Sequence, residues 1–299
     1  MFLFPPGGST GEAWEEGGAA RPVMTASRAS PVPPSAFGGF PPSGGEEGAS
    51  LAPTSVAPVV VFDEIDSTNA EARRRAEAGH TGPIWIIGLR QTAGRGRRGR
   101  VWETGPGNLA ATYLFQTAKA PAEAAQMSFV TAVAVAEAVS GLLNPAPVTV
   151  KWPNDLLIEG KKAGGILVES GRAANNALWL AVGIGLNLAT APAAPLEAGS
   201  LPATALRDHM AGPPHDPLHA LHRIAEALGR WRGVWEAEGF APVAKAWTRR
   251  AHGLGARCVA RLPSETVEGV ALGLDAHGAL RLRLVDGSER NITAGDVFF

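Results

Sequence analysis

One cysteine, one tyrosine, four methionines and only five lysines occur in 299 residues. With Cys258 alone, no internal disulfide can form. It sits in a strand-like run and reads as a small buried apolar residue, which fits a reducing, cytoplasmic setting. No stretch of ~18 uninterrupted apolar residues suggests a membrane span. The opening Met1-Phe2-Leu3-Phe4 meets Pro5-Pro6 at once, too soon for the apolar segment of a secretory signal. The net charge of −1 gives no global electrostatic case for nucleic acid or a membrane surface. Scarcity makes the lysines informative: of Lys119, Lys151, Lys161, Lys162 and Lys245, three fall between positions 151 and 162. Five arginines crowd into Arg90 to Arg100. Two cationic clusters in a nearly neutral chain predict a local anionic ligand.

Residues 1–57 are rich in Gly, Pro, Ser and Ala and show no hydrophobic period, so they are expected to form a disordered tail, with Met24 as an alternative start. No helix-turn-helix pattern appears there. Residues 58–251 predict a first folded domain and 252–299 a second. Val59–Phe62 reads as a buried strand. Thr68 and Glu71 have capping-box spacing for a helix ending at Gly79. Strands are expected at 84–89, 109–115, 148–151, 156–158, 166–168 and 178–188. Helices are expected at 122–143, 203–210, 217–238 and 241–250. Four strands at 257–262, 266–274, 280–285 and 289–292, with turns at Asp275-Ala276-His277-Gly278 and Asp286-Gly287, predict a small antiparallel barrel.

Three local features carry chemistry. In Gly94-Arg95-Gly96-Arg97-Arg98-Gly99-Arg100, glycines let backbone N–H groups approach an anion while guanidinium forks pair with its oxygens. A nucleic-acid-binding run or a solvated loop has the same composition, although this one is single and bracketed by core strands. In Lys151-Trp152-Pro153-Asn154-Asp155 and the following Lys161-Lys162-Ala163-Gly164-Gly165, a lysine at a strand start can aim a compact charge at a carboxylate or phosphate. A solvated surface charge is the plainer alternative, and Asn154-Asp155 alone is a turn pair. In Gly183-Ile184-Gly185-Leu186-Asn187, strand glycines imply close approach of a ligand or another backbone, or else a bulge.

Taken in order, Asp66-Ser67-Thr68-Asn69, Gln91 with the Gly-Arg run and Trp102, Gly107-Asn108-Leu109, Lys151 to Asp155, Lys162 before Gly165-Ile166-Leu167, and Gly183 to Asn187 closely resemble the biotin–protein ligases. The resemblance covers roughly residues 58–299. It implies an α+β fold: a mixed, mostly antiparallel sheet flanked by helices, of the class II synthetase-like kind, followed by a small SH3-like β-barrel. It implies ATP-dependent ligation of biotin to a lysine of a biotin carboxyl carrier domain of a biotin-dependent carboxylase, through biotinyl-5'-AMP. ATP and biotin are then the substrates, with Mg2+ expected. Ser67, Thr68, Asn69, Gln91, Gly94, Arg95, Gly96, Arg97 and Lys162 are the implied biotin set. Arg95, Arg97, Arg98, Arg100, Trp102, Lys162 and Asn187 are the nucleotide set. Lys162 and Arg97 carry the catalysis, and Asp155 is a candidate Mg2+ ligand. Trp102 and Trp152 either border the valerate path of biotin or belong to the core. The tail in place of a DNA-binding domain argues against a DNA partner; a homodimer through the sheet edge is possible, and no membrane is expected.

Overall fold

The computed structural model describes residues 30–31, 57–143, 146–193 and 201–299; of the tail at 1–57 all but Ser30–Pro31 and Ala57 lies outside the described residues. Strands β1 (Ser30–Pro31), β2 (Val59–Phe62), β3 (Ile84–Gly88), β4 (Leu109–Thr117), β5 (Val148–Lys151), β6 (Asp155–Ile158), β7 (Lys161–Arg172) and β8 (Leu178–Leu186) form one sheet in the order β1-β2-β3-β4-β8-β7-β6-β5. β2 and β3 run parallel and every other pairing is antiparallel.

Period-two alternation decides what each face covers. On β3 and β4, Trp85, Ile87, Tyr113 and Phe115 join a large core with α3 (Met127–Leu142), α4 (Pro217–Glu238) and α5 (Phe240–Arg250). The alternate residues Ile86 and Leu114 pack with Ala72 and Ala76 of α1 (Thr68–Glu77) on the other face. Helix α3 is apolar over most of its surface because most of it is enclosed, and Glu137, paired with Arg230 at 2.6 Å, marks its half-exposed side. Within Pro121–Leu142 a window of 18 residues is apolar enough for a membrane span, yet 67 % of that window is buried inside the fold, as expected of a central core helix.

A second, five-stranded antiparallel sheet has the order β12-β11-β10-β9-β13, built from β9 (Arg257–Arg261), β10 (Thr266–Leu274), β11 (Leu280–Arg283), β12 (Glu289–Ile292) and β13 (Asp296–Phe298). Buried Trp152 ties it to the first sheet by donating its indole N–H to the Gly278 carbonyl at 3.1 Å. Trp152 is therefore a core and docking residue rather than a wall of the valerate path.

Four expectations change. The N-cap of α1 is Ser67 and no side chain caps it, so the Thr68–Glu71 capping box does not form. The Thr68 hydroxyl bonds toward Gln91 and Thr112 instead, and Glu71 pairs with Arg74 and Arg75. The long helix at 122–143 is interrupted after the short α2 (Pro121–Ala124), and Gln126 accepts the Trp235 indole N–H at 2.8 Å. At 203–210 only a 3-10 turn, Leu206–His209, appears, because Ala203 bridges to Lys162 and Thr204 donates its N–H to the Lys162 carbonyl. Strand β7 is longer than 166–168, since side-chain-free Gly164 and Gly165 lie flat against Leu186 and Gly185 as ladder residues.

Helix α4 shows regular capping. Asp216 accepts from the N–H groups of Leu218 (2.8 Å) and His219 (3.1 Å), with Pro217 at the first helical position. Asp216→Ala is expected to lower stability by about 1 kcal/mol, read as a lower denaturant midpoint with an unchanged slope.

Candidate active site

A cavity of about 470 Å³ opens between the first sheet, the Gly-Arg loop and the last strand of the second sheet. Its construction begins with two missing side chains on β8. A Cβ at Gly183 would overlap the Asn69 carboxamide, and one at Gly185 would run into the Trp102 indole. Both glycines thus admit a neighbour's side chain onto the strand, rather than a backbone or a bulge.

One end of the cavity is neutral and polar. Ser67, Thr68 and Asn69 enter from the start of α1, and Gln91 from the loop after β3. Gln91 Oε1 accepts the Thr68 backbone N–H at 2.9 Å, and its amide donates to the Thr104 hydroxyl at 3.1 Å. Thr112 of β4 donates to Asn69 Oδ1 at 2.6 Å.

The other end is cationic. Arg95, Arg97, Arg100, Lys151 and Lys162 line it and, among the described residues, face three acids, Glu103, Asp155 and Asp296. The loop closes on itself: Gly96 N–H donates to the Arg100 carbonyl at 2.7 Å and Trp102 N–H to the Gly94 carbonyl at 2.9 Å. Lys162 Nζ lies 2.7 Å from Asp155 Oδ1 and 6.0 Å from the Trp102 ring centre. Arg97 donates to Asn154 Oδ1 and to the Gly295 carbonyl, each at 3.3 Å. Burial lowers the Arg97 guanidinium from its ordinary value, and burial likewise lowers the Lys151 ammonium, although nearby carboxylates oppose both shifts. A surplus of partly desolvated cations favours an anionic guest. Asn187, buried just after β8, donates to the Thr204 carbonyl at 3.1 Å, and its Oδ1 has no partner among the described residues. That orphan acceptor suits an incoming N–H donor.

Of the residues singled out from sequence, Ser67, Thr68, Asn69, Gln91, Arg95, Gly96, Arg97, Arg100, Trp102, Asp155, Lys162 and Asn187 all line this one cavity. Gly94 and Arg98 do not. Gly94 is buried behind the wall, where a Cβ would strike the Trp102 carbonyl and the Gln91 amide. Arg98 adopts φ 57°, a left-handed conformation that turns it away from the cavity wall, and reaches Asp296 at 3.1 Å.

Two stretches of the chain match known protein families. Residues 61–187 fit the Biotin/lipoate A/B protein ligase family, and residues 253–299 fit the Biotin protein ligase C terminal domain. A biotin--[acetyl-CoA-carboxylase] ligase of Paracoccus denitrificans is 41 % identical over 236 residues, spanning 78 % of this chain and 97 % of that protein. The chain belongs to the biotin/lipoate protein ligase family. The bifunctional ligase/repressor BirA of Bacillus subtilis is 31 % identical over 79 % of this family member and 72 % of its own length. Among solved structures, the biotin protein ligase of Aquifex aeolicus in complex with biotin and ATP superposes with a TM-score of 0.68 at 25 % identity, covering 80 % of this chain and 97 % of that one. The Leishmania major biotin protein ligase in complex with biotinyl-5-AMP gives a TM-score of 0.56 at 26 % identity, over 79 % and 98 %.

Within this ligase fold, sequence reasoning missed Thr112 and Glu169, which hold Asn69, and Asp296, which holds the loop. Asp296 accepts from Arg100 at 2.6 Å and from Arg98 at 3.1 Å. It lies nearly two hundred residues away on β13, and no local pattern joins it to the Gly-Arg run. Burial alone would raise the Asp296 carboxyl; the Arg100 hydrogen bond and the charges of Arg100, Arg97 and Arg98 outweigh it and hold the group below its ordinary value. A depressed carboxyl stabilises the fold fully above its unfolded value of about 3.9 and progressively less as pH falls below that. The gap in melting temperature between the native protein and Asp296→Asn is therefore expected to be constant from pH 7 to about 5 and to narrow below about 4. A gap that widened on acidification would contradict the clamp.

Proposed function

We propose that this chain activates biotin with ATP and transfers it to a lysine of a biotin carboxyl carrier domain of a biotin-dependent carboxylase. The observation that carries the reading is the division of one cavity into a neutral hydrogen-bonding end and a cationic end. Biotin has the same division, with a ureido ring at one end and a carboxylate at the other. Ser67, Thr68 and Gln91 would take the ring, whose urea needs both donors and acceptors. Lipoate, whose dithiolane offers no such groups, could not make these bonds.

In the first half-reaction a biotin carboxylate oxygen attacks the α-phosphorus of ATP. The phosphorus–oxygen bond to the leaving pyrophosphate breaks as the mixed anhydride forms. Both reactants are anions, so positive charge must be strongest where the transition state gathers charge. Lys162 would bridge the carboxylate and the α-phosphoryl oxygens, exchanging Asp155 for them. Arg95, Arg97 and Arg100 would grip the carboxylate and phosphates as the loop orders, with its glycines as the pivots. Trp102 would flank the nucleotide, and the unpaired Asn187 Oδ1 would accept from the exocyclic amine of adenine. In the second half-reaction the acceptor's neutral ε-amine attacks the acyl carbon, AMP leaves, and the amine gives up a proton. Excluding water from the anhydride until then is the closed loop's task.

Magnesium would arrive with the nucleotide phosphates. The described residues hold no group of three His, Cys, Asp or Glu able to bind a metal, so the donor set fits an ion that keeps phosphate and water ligands with Asp155 as its one protein carboxylate. Cytoplasmic work without DNA or membrane completes the proposal.

Lys162→Ala is expected to reduce biotin-dependent exchange of pyrophosphate into ATP by about 100- to 1000-fold. Exchange at near-native rates would remove Lys162 from its role, and exchange with lipoate but not biotin would replace the substrate. Arg97→Gly is expected to form adenylate yet release it, so labelled adenylate should pass through gel filtration separately from the variant. Tight retention would refute the loop's sequestering role.

A further inference from the structure

Behind the polar end of the cavity a chain of hydrogen bonds leads away from the substrate walls to a carboxylate. Glu169 Oε2 accepts from Asn69 Nδ2 at 2.8 Å. This commits the amide nitrogen to one side and turns Asn69 Oδ1 toward Thr112, 2.6 Å from its hydroxyl. The Thr112 and Thr68 hydroxyls are 2.8 Å apart, and Thr68 Oγ1 lies 3.2 Å from Gln91 Oε1. Asn69, Thr112 and Thr68 are all buried. Glu169 and Thr112 do not line the cavity, whereas Thr68 does.

Three oxygen–oxygen contacts are served by two hydroxyl protons, since neither amide oxygen has a proton to give. An unprotonated contact repels more strongly the shorter it is, so the two shortest take the protons. Thr112 donates to Asn69, and Thr68 donates to Thr112. Gln91 Oε1 is already satisfied by the Thr68 backbone N–H. Thr68 therefore has its proton committed inward and offers the cavity only lone pairs. Reversing the Asn69 amide would reverse this arrangement, but it would also set Oδ1 against the Glu169 carboxylate. Space for the amide comes from Gly183, whose missing Cβ would otherwise overlap it.

We infer that Glu169, acting through Asn69 and Thr112, fixes Thr68 as a hydrogen-bond acceptor and so selects ligands that carry an N–H at this end of the cavity. Glu169 is a positioning residue and touches no substrate. The inference rests on the reading of biotin as substrate, whose ureido N–H is the donor concerned.

The test compares apparent KM values for biotin and for ATP in pyrophosphate exchange. Glu169→Ala and Thr112→Val should each raise the biotin KM by about tenfold or more while moving the ATP KM by less than about twofold. Glu169→Gln keeps an acceptor and Thr112→Ser keeps a donor, so both should stay within about threefold of the native biotin KM. An unchanged biotin KM in Glu169→Ala, equal damage in the Ala and Gln variants, or KM values for both substrates rising together would overturn the relay. A native protein that fails to exchange pyrophosphate with biotin would overturn the substrate reading along with it. An active native protein with an indifferent Glu169→Ala overturns the relay alone.

Discussion

The site depends on bare backbone in the middle of the sheet. Gly183 and Gly185 on β8 alternate onto the same face, and their missing side chains leave room for a carboxamide and an indole. Every other part of the cavity is placed relative to these two guests. Asn69 brings the start of α1 down onto the strand. Trp102 brings the end of the Gly-Arg loop onto it, one pleat further along. A methyl group at either glycine would lift one end of the cavity off its floor. Strand glycines usually weaken a sheet; here the buried neighbours Val182, Ile184 and Leu186 keep β8 packed in the core between β4 and β7.

That geometry explains what could be read from the sequence and what could not. Features set within a few residues were legible. The period of α4, the turns Asp275 to Gly278 and Asp286-Gly287, and the Gly-x-Gly spacing on β8 each follow from local rules. The Gly-Arg run and the lysine beside Gly164-Gly165 were legible as places for an anion, because their chemistry lies in their composition; Ser67, Thr68, Asn69, Gln91 and Asn187 were implied only by the resemblance to biotin–protein ligases. Partnerships were not legible. Thr68 has the spacing of a cap, yet its hydroxyl serves a wall of the cavity, since its bond with Thr112 satisfies a group buried by the sheet. Nothing near Thr112 or Glu169 in sequence marks them as supports for Asn69. β13 escaped notice because Asp296–Phe298 is three residues long and its role is set wholly by what it faces.

The second sheet is joined to the first by two connections of different character. The bond from Trp152 to the Gly278 carbonyl is buried and neutral, and it fixes the relative position of the two sheets. The contacts from Asp296 to Arg98 and Arg100 are ionic, more exposed, and made to the Gly-Arg loop, which on the proposed reading orders around substrates. A chain built this way can keep its two sheets docked while the loop changes partners. Arg97, which contacts both Asn154 of the first sheet's edge and Gly295 of the second sheet, spans the seam at which the two meet.

The two carboxylates at the cationic end have related consequences. Asp155 neutralises Lys162, and Asp296 neutralises Arg100. Without them, the clustered like charges of the wall would repel one another. With them, Lys162 and Arg100 already have carboxylate partners of the kind the substrates would bring. On the proposed reading, binding biotin and ATP would be an exchange of carboxylate oxygens for carboxylate and phosphate oxygens at these two cations. Such an exchange gives up affinity in the ground state. It retains selectivity for the moment of transfer, when charge on the α-phosphoryl oxygens exceeds what one carboxylate offers. A site arranged so keeps its strongest electrostatic contact for the transition state, and it holds its cations in place while they wait.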